Sequence, residues 1–439
     1  MINSLPPIQS TLFDTTQFVG LKRKIADSRL PTNTTTNGHA IHRWFNFIAG
    51  FSPEFVALCC QDLQDGEMHT LLDPFGGCGT SLVAARQLGL NAIGFEPHPI
   101  FGRLATAKSR DPALPDEIDA IEAIMQAGFR KPVEISSLPE SPVAFLSKLV
   151  PAESLARLLG ARSALERSEF ATNPVAFLIL SKLLDKCSSS QTDGIYKAPT
   201  SLKRGAILDT AFNDILLMIR EDIAHCSVHF ANTTCRLFPV SSQRMPAVAD
   251  GSVSVIVTSP PYLNNFDYAE MTRMYLYFWG LANSWGEITD TVRSKLIVNT
   301  TTALRGHKLK QAVYRDSLSP EMRDALDDLV QALADKRKTK AGKKEYDLLI
   351  YPYFAQMLEA LRECFRVLAR GRKLQMMIAD AALYGIHIAT PQILAQMMEE
   401  IGFEKVTVAL VRERGHRWIL EKREGSATGL GEYQITATK

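Results

Sequence analysis

What is missing narrows this chain quickly. Its seven cysteines (Cys59, Cys60, Cys78, Cys187, Cys226, Cys235 and Cys364) contain no CxxC pair. That spacing argues against a zinc site and against a disulfide framework, and a reduced, intracellular protein is the expectation. No apolar stretch approaches the ~18 residues that a membrane span needs. Met1–Ser10 has neither a charged start nor a long apolar block, so no secretory leader is expected. No GxxxxGK[ST] string is present, so a P-loop is not supported. Charge of either sign is not in excess, the formal net being +2. A nucleic-acid binder needs a basic face rather than a basic total, so this balance neither supports nor excludes one. No internal repeat is visible.

What is present is a globular chain. At 439 residues it can bury a large core and splits most naturally into two domains. The basic clusters Lys22-Arg23-Lys24, Lys336-Arg337-Lys338 with Lys340, Lys343-Lys344, and Arg370 with Arg372-Lys373 read as solvated surface. The stretch from Lys336 to Lys344 reads as a mobile loop around Gly342.

Along the chain, residues 1–40 form a loosely held N-terminal arm. Ser52 caps a helix with Pro53 at its first position, running to about Leu63. His69–Leu72 is a strand ending at Asp73. Ser81–Leu88 is a helix stopped by Gly89, and Asn91–Phe95 is a strand ending at Glu96. Strand, glycine turn, helix and strand in so short a span make a βαβ unit and imply a parallel sheet. Residues 113–230 change to helical periodicity (Asp116–Ala127, Ser141–Leu149, Ala152–Leu165, Pro174–Leu184, Gly205–His225). A polar loop, Ser188–Arg204, interrupts them and holds Asp193-Gly194-Ile195-Tyr196-Lys197. Strand logic returns at Val253–Val257. Helices follow at Glu270–Trp279, Glu321–Leu333 and Tyr353–Leu368. A strand at Leu374–Ala379 ends at Asp380, then come a helix (Pro391–Ile401), a strand (Lys405–Arg412) and a last edge strand (Tyr433–Ala437). The expected fold is one α/β sheet interrupted by a mainly helical insertion. Its boundaries fall at 41–112, 113–230 and 231–439.

Two strings carry chemistry. In Asp73-Pro74-Phe75-Gly76-Gly77-Cys78-Gly79-Thr80 the glycines let the backbone approach a ligand, and the helix that follows turns its N-terminal amides toward it. Phe75 suits covering a purine or an aliphatic chain, and Glu96 suits accepting two hydrogen bonds from a ribose diol. A dinucleotide enzyme and a plain turn are the other readings of such a string. In Thr258-Ser259-Pro260-Pro261-Tyr262 the prolines fix φ and remove backbone donors, so the loop presents acceptors in a rigid frame. The Ser259 hydroxyl oxygen and the Pro260 carbonyl suit the NH2 of a planar base, and Tyr262 offers a face for stacking. A polyproline ligand or a plain turn is the alternative, but the string closes an apolar strand rather than lying in a tail.

Together the strings resemble the DPFxGxGT and TSPPY motifs of the S-adenosylmethionine (SAM)-dependent amino-methyltransferases of DNA, over roughly residues 40–108 and 235–437. The resemblance implies a Rossmann-like methyltransferase sheet. It implies SAM held by Asp73, Pro74, Phe75, Gly77, Gly79, Thr80 and Glu96, with Phe51 and Pro53 closing over the methionine end. It implies methyl transfer by Ser259, Pro260, Pro261 and Tyr262, and a base pocket lined by Asn264, Asn265, Tyr268 and Asp380. No metal is implied. The substrate it implies is double-stranded DNA with the base flipped out. Ser259 tilts the reading toward cytosine N4, because aspartate there is commoner among adenine enzymes; adenine N6 is the alternative. An RNA amine methyltransferase and an inactive DNA-binding subunit are second alternatives. C5-cytosine methylation would need a Pro-Cys nucleophile, which the chain lacks. Residues 113–230 would read the target sequence, or else serve as scaffold or dimerisation surface. A homodimer or a restriction or defence partner subunit fits such an enzyme, as does a cytoplasmic location with no membrane. One departure stands out: Val240-Ser241-Ser242-Gln243-Arg244-Met245 lacks the acid that often contacts the SAM adenine, leaving Ser242 or Gln243 to substitute.

Overall fold

A computed structural model describes residues 33–45, 50–63, 67–189, 191–192, 197–198, 204–230, 232–340, 344–414 and 430–439. The N-terminal arm up to residue 32, Lys22-Arg23-Lys24 within it, Asp193-Gly194-Ile195-Tyr196 and Gly342-Lys343 lie outside the described residues. Two compact units emerge. One takes Pro31–Ser241 and Asp267–Leu296; the other takes Ser242–Phe266 and Ile297–Lys439. Each motif falls in a different unit.

In the glycine-turn unit, β1 (Thr70–Asp73), β2 (Asn91–Phe95) and β5 (Cys235–Phe238) pair in parallel, β2 lying between the other two. The hairpin strands β3 (Gln191–Thr192) and β4 (Lys197–Ala198) stand apart within the polar loop. Among the described residues eleven helices complete the unit: α1 (Pro53–Cys59), α2 (Thr80–Gln87), α3 (Pro99–Ser109), α4 (Pro115–Phe129), α5 (Glu140–Leu146), α6 (Ala152–Glu166), α7 (Pro174–Cys187), α8 (Leu208–Phe230), α9 (Tyr268–Met271), α10 (Arg273–Phe278) and α11 (Trp285–Thr291). The expected βαβ unit is there, β1-α2-β2, with Leu82, Val83 and Ala85 of α2 fully buried. Ser52 caps α1 by accepting from Phe55 N (3.2 Å), as its position predicts. That helix stops at Cys59 rather than Leu63, because Cys60 N also bonds Ala57 O, tightening the chain into the separate turn Gln61–Leu63. The single helix expected over Glu270–Trp279 is two. They break at Thr272, whose hydroxyl donates to the carbonyls of Tyr268 and Ala269.

Helices α4 to α8 form the expected helical insertion between β2 and β5. Its two ends meet at one side chain. Arg86 of α2, fully buried, donates to Ser109 O (2.7 Å) and Asp111 Oδ1 (2.7 Å) where the insertion departs. It also donates to Phe230 O (2.6 Å), Thr233 O (2.7 Å) and Thr233 Oγ1 (2.9 Å) where the chain returns. Its guanidinium lies 4.4 Å over the Phe230 ring. Inside the insertion, α4 and α6 touch backbone to backbone. A Cβ at Gly160 would lie 2.3 Å from Gly128 O and 2.5 Å from Lys131 O. Neither neighbour is a flexible side chain, so Gly160→Ala is expected to cost about 2–4 kcal/mol, read as a lower unfolding midpoint.

The segment Asp267–Leu296 returns to this unit and is fastened to it. Trp279 stacks on Phe177 (4.6 Å) and donates to Ser181 Oγ (2.9 Å), and the Tyr275 hydroxyl donates to Asp185 (3.1 Å).

In the Pro-Pro-Tyr unit, β6 (Val253–Thr258) and β7 (Leu368–Ala379) are parallel. The short hairpin β8 (Ala381–Leu383) and β9 (Ile386–Ile388) follows, then β10 (Glu404–Glu413) and β11 (Gly431–Thr438). The unit also holds α12 (Gln311–Asp316), α13 (Pro320–Thr339), α14 (Ile350–Val367) and α15 (Thr390–Ile401). The last strand is not an edge. It lies between β7 and β10, antiparallel to both, with Ile435 and Ala437 fully buried. The edge is β10, most of whose residues are half-buried or exposed. Lys336-Arg337-Lys338 form the last turn of α13 rather than a loop; cations there suit the negative end of the helix, and Arg337 pairs with Asp347 (3.1 Å).

Helices alternate with strands in both units, parallel at β1, β2 and β5 and at β6 and β7, with an antiparallel end at β10 and β11, so the chain is a mixed α/β protein with the Rossmann-like character expected of it. Among the described residues no helix is long and apolar enough to cross a membrane, and no group of three or more His, Cys, Asp or Glu side chains is placed to hold a metal.

Candidate active site

The glycine turn is built by Asp73 and Glu96. Asp73 Oδ1 accepts from Phe75 N (3.0 Å) and Oδ2 accepts from the Ser81 hydroxyl, so this carboxylate shapes the turn from both sides. Gly76 N donates to Phe95 O (2.9 Å), tying the turn to β2. Gly77 and Gly79 have φ of 50° and 83°. A Cβ at Gly79 would also lie 3.1 Å from Ala105 of α3, so both conformation and space call for glycine there. Pro74 is buried, Phe75 and Thr80 are half-buried, and Thr80 opens α2.

Glu96, buried at the end of β2, accepts from Gly77 N (2.8 Å) and His98 N (2.8 Å), one on each oxygen. Burial outweighs these two donors and pushes its carboxyl up to about 8. Each oxygen keeps a second lone pair, so the group can still take hydroxyl donors. A left-handed glycine turn opening a helix, beside a carboxylate at the next strand end, is a donor and acceptor set that fits a nucleoside such as that of SAM. Phe51 and Pro53 are both buried around α1, where Phe51 packs edge-on to Phe55 (5.5 Å).

His98 was not singled out by sequence. It accepts from Ile100 N through Nδ1 (3.2 Å), capping α3, and its Nε2 meets Thr272 Oγ1 (2.9 Å). Burial lowers its pKa to about 3, so the neutral ring is a structural joint between α3 and the Asp267–Leu296 segment.

The Pro-Pro-Tyr loop leaves β6 with its scaffold already bonded. The Tyr353 hydroxyl donates to Pro261 O (3.0 Å). Asn299 Nδ2 donates to Tyr262 O (3.2 Å) and Phe266 O (2.9 Å), and Asn264 N donates back to Asn299 O (2.7 Å). Asn264 holds a left-handed φ of 51° to do so. The Ser259 hydroxyl meets the Tyr262 hydroxyl at 3.4 Å. Burial holds the Tyr262 phenol well above its ordinary value. Among the described residues no donor bonds the Pro260 carbonyl. Two acceptors on consecutive residues, Ser259 Oγ and Pro260 O, therefore keep capacity for an incoming NH2.

Strand directions gather more residues at this edge. β10 runs the same way as β6 and β7, and Arg412, Glu432 and Ala379 lie opposite one another across three strands. Arg412 pairs with Glu432 (2.6 Å), and Arg414 donates to Asn265 Oδ1 (3.0 Å). Asp380 follows β7, buried, and accepts from Gly431 N (2.8 Å) while meeting His387 Nε2 (2.8 Å). Ser259, Pro260, Pro261, Tyr262, Asn264, Asn265 and Asp380 thus belong to one unit. Tyr268 belongs to the other, where its ring meets Phe101 edge-on (6.3 Å). Arg412, Arg414 and His387 escaped the sequence reading; the period-two spacing of the two arginines was their one signal.

Of the two stand-ins for the missing acid, Gln243 bonds Glu359 (2.5 Å). Ser242 is buried, and its hydroxyl has no partner among the described residues.

No protein-family model matches the chain. It is similar to the Type II methyltransferase M.AvaI of Nostoc sp. (strain PCC 7120 / SAG 25.82 / UTEX 2576), at 24% identity over 397 residues, covering 84% of this chain and 80% of that protein. The Type II methyltransferase M.AvaI of Anabaena variabilis matches to the same extent. The Type II methyltransferase M.BsoBI of Geobacillus stearothermophilus is 24% identical over 438 residues, covering 88% of this chain and 83% of its own length. Over most of its length the chain is thus similar to Type II methyltransferases.

Proposed function

We propose that the chain is a site-specific DNA methyltransferase that moves a methyl group from SAM to the exocyclic amine of a flipped base, cytosine N4 in the first instance. The observation that carries this reading is the acceptor pair Ser259 Oγ and Pro260 O, left open in a loop whose next two carbonyls are already bonded. An amine conjugated with its ring is a poor nucleophile. Acceptors on its two hydrogens draw the nitrogen toward sp3 geometry and aim its lone pair. Tyr262 stacks the base, and Arg412 and Arg414 supply cations beside it. The cofactor brings a methyl already activated on a sulfonium, so no covalent enzyme intermediate is needed and the protein contributes position and electrostatics. Glu96 and the glycine turn orient the nucleoside. The predicted setting is the cytoplasm of a cell that marks its own DNA.

The test is nucleoside mass spectrometry of DNA from a methylation-free host expressing the chain. N4-methylcytosine is the expected product. N6-methyladenine would keep the mechanism and overturn the base. Neither, with SAM bound, would favour an RNA amine or an inactive subunit.

A second expectation concerns pH. A ribose diol donates to Glu96, so binding favours the ionised carboxylate, whereas the empty site holds it protonated below about 8. SAM affinity should therefore strengthen as pH rises from about 6.5 to 8, by at most about tenfold per unit, and level off above. Glu96→Gln should bind more weakly and show a flat profile in calorimetric titrations.

A further inference from the structure

Just past Asn299, the residue that fastens the catalytic loop, the chain runs to Tyr314 without an acidic residue and carries Arg305, Lys308 and Lys310. Leu309 stands between the two lysines, and its exposure is 100%. A single exposed leucine ordinarily means little. Three observations set this one apart.

The segment is built rather than loose. Ala303 and Leu304 are buried and root it. His307 N bonds Leu304 O (2.9 Å), Lys310 N bonds His307 O (3.1 Å), and His307 Nδ1 meets the Tyr314 hydroxyl (2.6 Å). Leu309 is therefore held outward on a fixed turn. The root is also shared with the catalytic loop, because Asn299 bonds the carbonyls of Tyr262 and Phe266. Finally, the rim is cationic. Arg305, Lys308 and Lys310 are all exposed, and Lys308 pairs with Glu345 (2.5 Å).

An apolar tip inside a cationic rim complements a nucleic-acid duplex, where phosphates meet the rim and the tip faces the base stack. Resting on the DNA reading above, we propose that Leu309 is a wedge. It enters the stack and occupies the space that the flipped target base vacates, while Arg305 and Lys310 hold the flanking phosphates. Flipping exposes a gap that neighbouring bases tend to close. A leucine in that gap raises the lifetime of the extrahelical base, and the shared Asn299 root fixes where the tip lies relative to Ser259 and Tyr262.

The test uses the full-length chain and duplexes bearing a site mapped from the modified host DNA, with the target base either paired or mispaired. Mispairing removes most of the work of flipping. Leu309→Ala is expected to slow methyl transfer about tenfold on the paired duplex and less than about threefold on the mispaired one. Leu309→Phe should stay near the parent rate, and SAM binding should not change. A side chain so exposed can be truncated without disturbing the fold. Equal slowing on both duplexes, or none on either, would overturn the wedge and leave the methyltransferase reading standing. No transfer to either duplex by the parent chain would bring down both.

Discussion

Ser259→Ala is expected to lower the methyl-transfer rate by about a hundredfold to a thousandfold, the usual cost of removing one group aimed at a transition state. SAM affinity and thermal stability should stay within error of the parent. Ser259 is half-buried, and its described bond is the long contact of 3.4 Å with the Tyr262 hydroxyl, so the fold loses little. What disappears is one of the two acceptors that turn the amine toward attack. The Pro260 carbonyl remains, which is why some activity should survive. Single-turnover rates with radiolabelled SAM decide the matter, together with cofactor titrations on the same protein. Loss of SAM binding alongside activity would mean that the substitution disturbs more than the acceptor pair. Unchanged single-turnover chemistry would remove Ser259 from the mechanism.

Arg86→Met is expected to cost about 3–5 kcal/mol of stability, the range for breaking a buried charged network and stranding its partners. The stranded groups are the carbonyls of Ser109, Phe230 and Thr233, none of which can turn to water without moving the chain that carries it. Methionine keeps the apolar stem, so the loss isolates the guanidinium. A fall of about 10 °C in the unfolding midpoint is the expected readout. Arg86→Lys should recover a minor part, since one ammonium cannot replace a fork that reaches five acceptors. A midpoint within a degree or two of the parent for Arg86→Met would show that the ends of the insertion are held by other contacts.

Both motifs were legible in the sequence because their physics is local. Glycine where φ is positive, a carboxylate at a strand end and two prolines after an apolar strand each announce themselves within a few residues. The βαβ unit was legible for the same reason. Strand order was not. β11 reads like any edge strand, and nothing in residues 431–438 says that it slides between β7 and β10. The arginines that end up beside Tyr262 were hidden by that same ignorance, since their place depends on β10 running alongside strands far away in sequence. β5 was missed because Cys235–Phe238 is short and half-exposed, without an apolar run. Arg86 went unremarked in the sequence, because only the meeting of α2 with the two ends of the insertion buries it.

The segment Asp267–Leu296 has a consequence for how the protein is made. The glycine-turn unit does not own a continuous stretch of chain: Trp279 and Tyr275 complete its packing against Phe177, Ser181 and Asp185, yet they are translated after the Pro-Pro-Tyr loop of the other unit. On the ribosome, where domains ordinarily fold in the order they emerge, this unit must wait for residue 296 to clear the exit tunnel. During that interval the apolar surface awaiting the segment is exposed, and a nascent chain stalled before Asp267 becomes a natural client for chaperones.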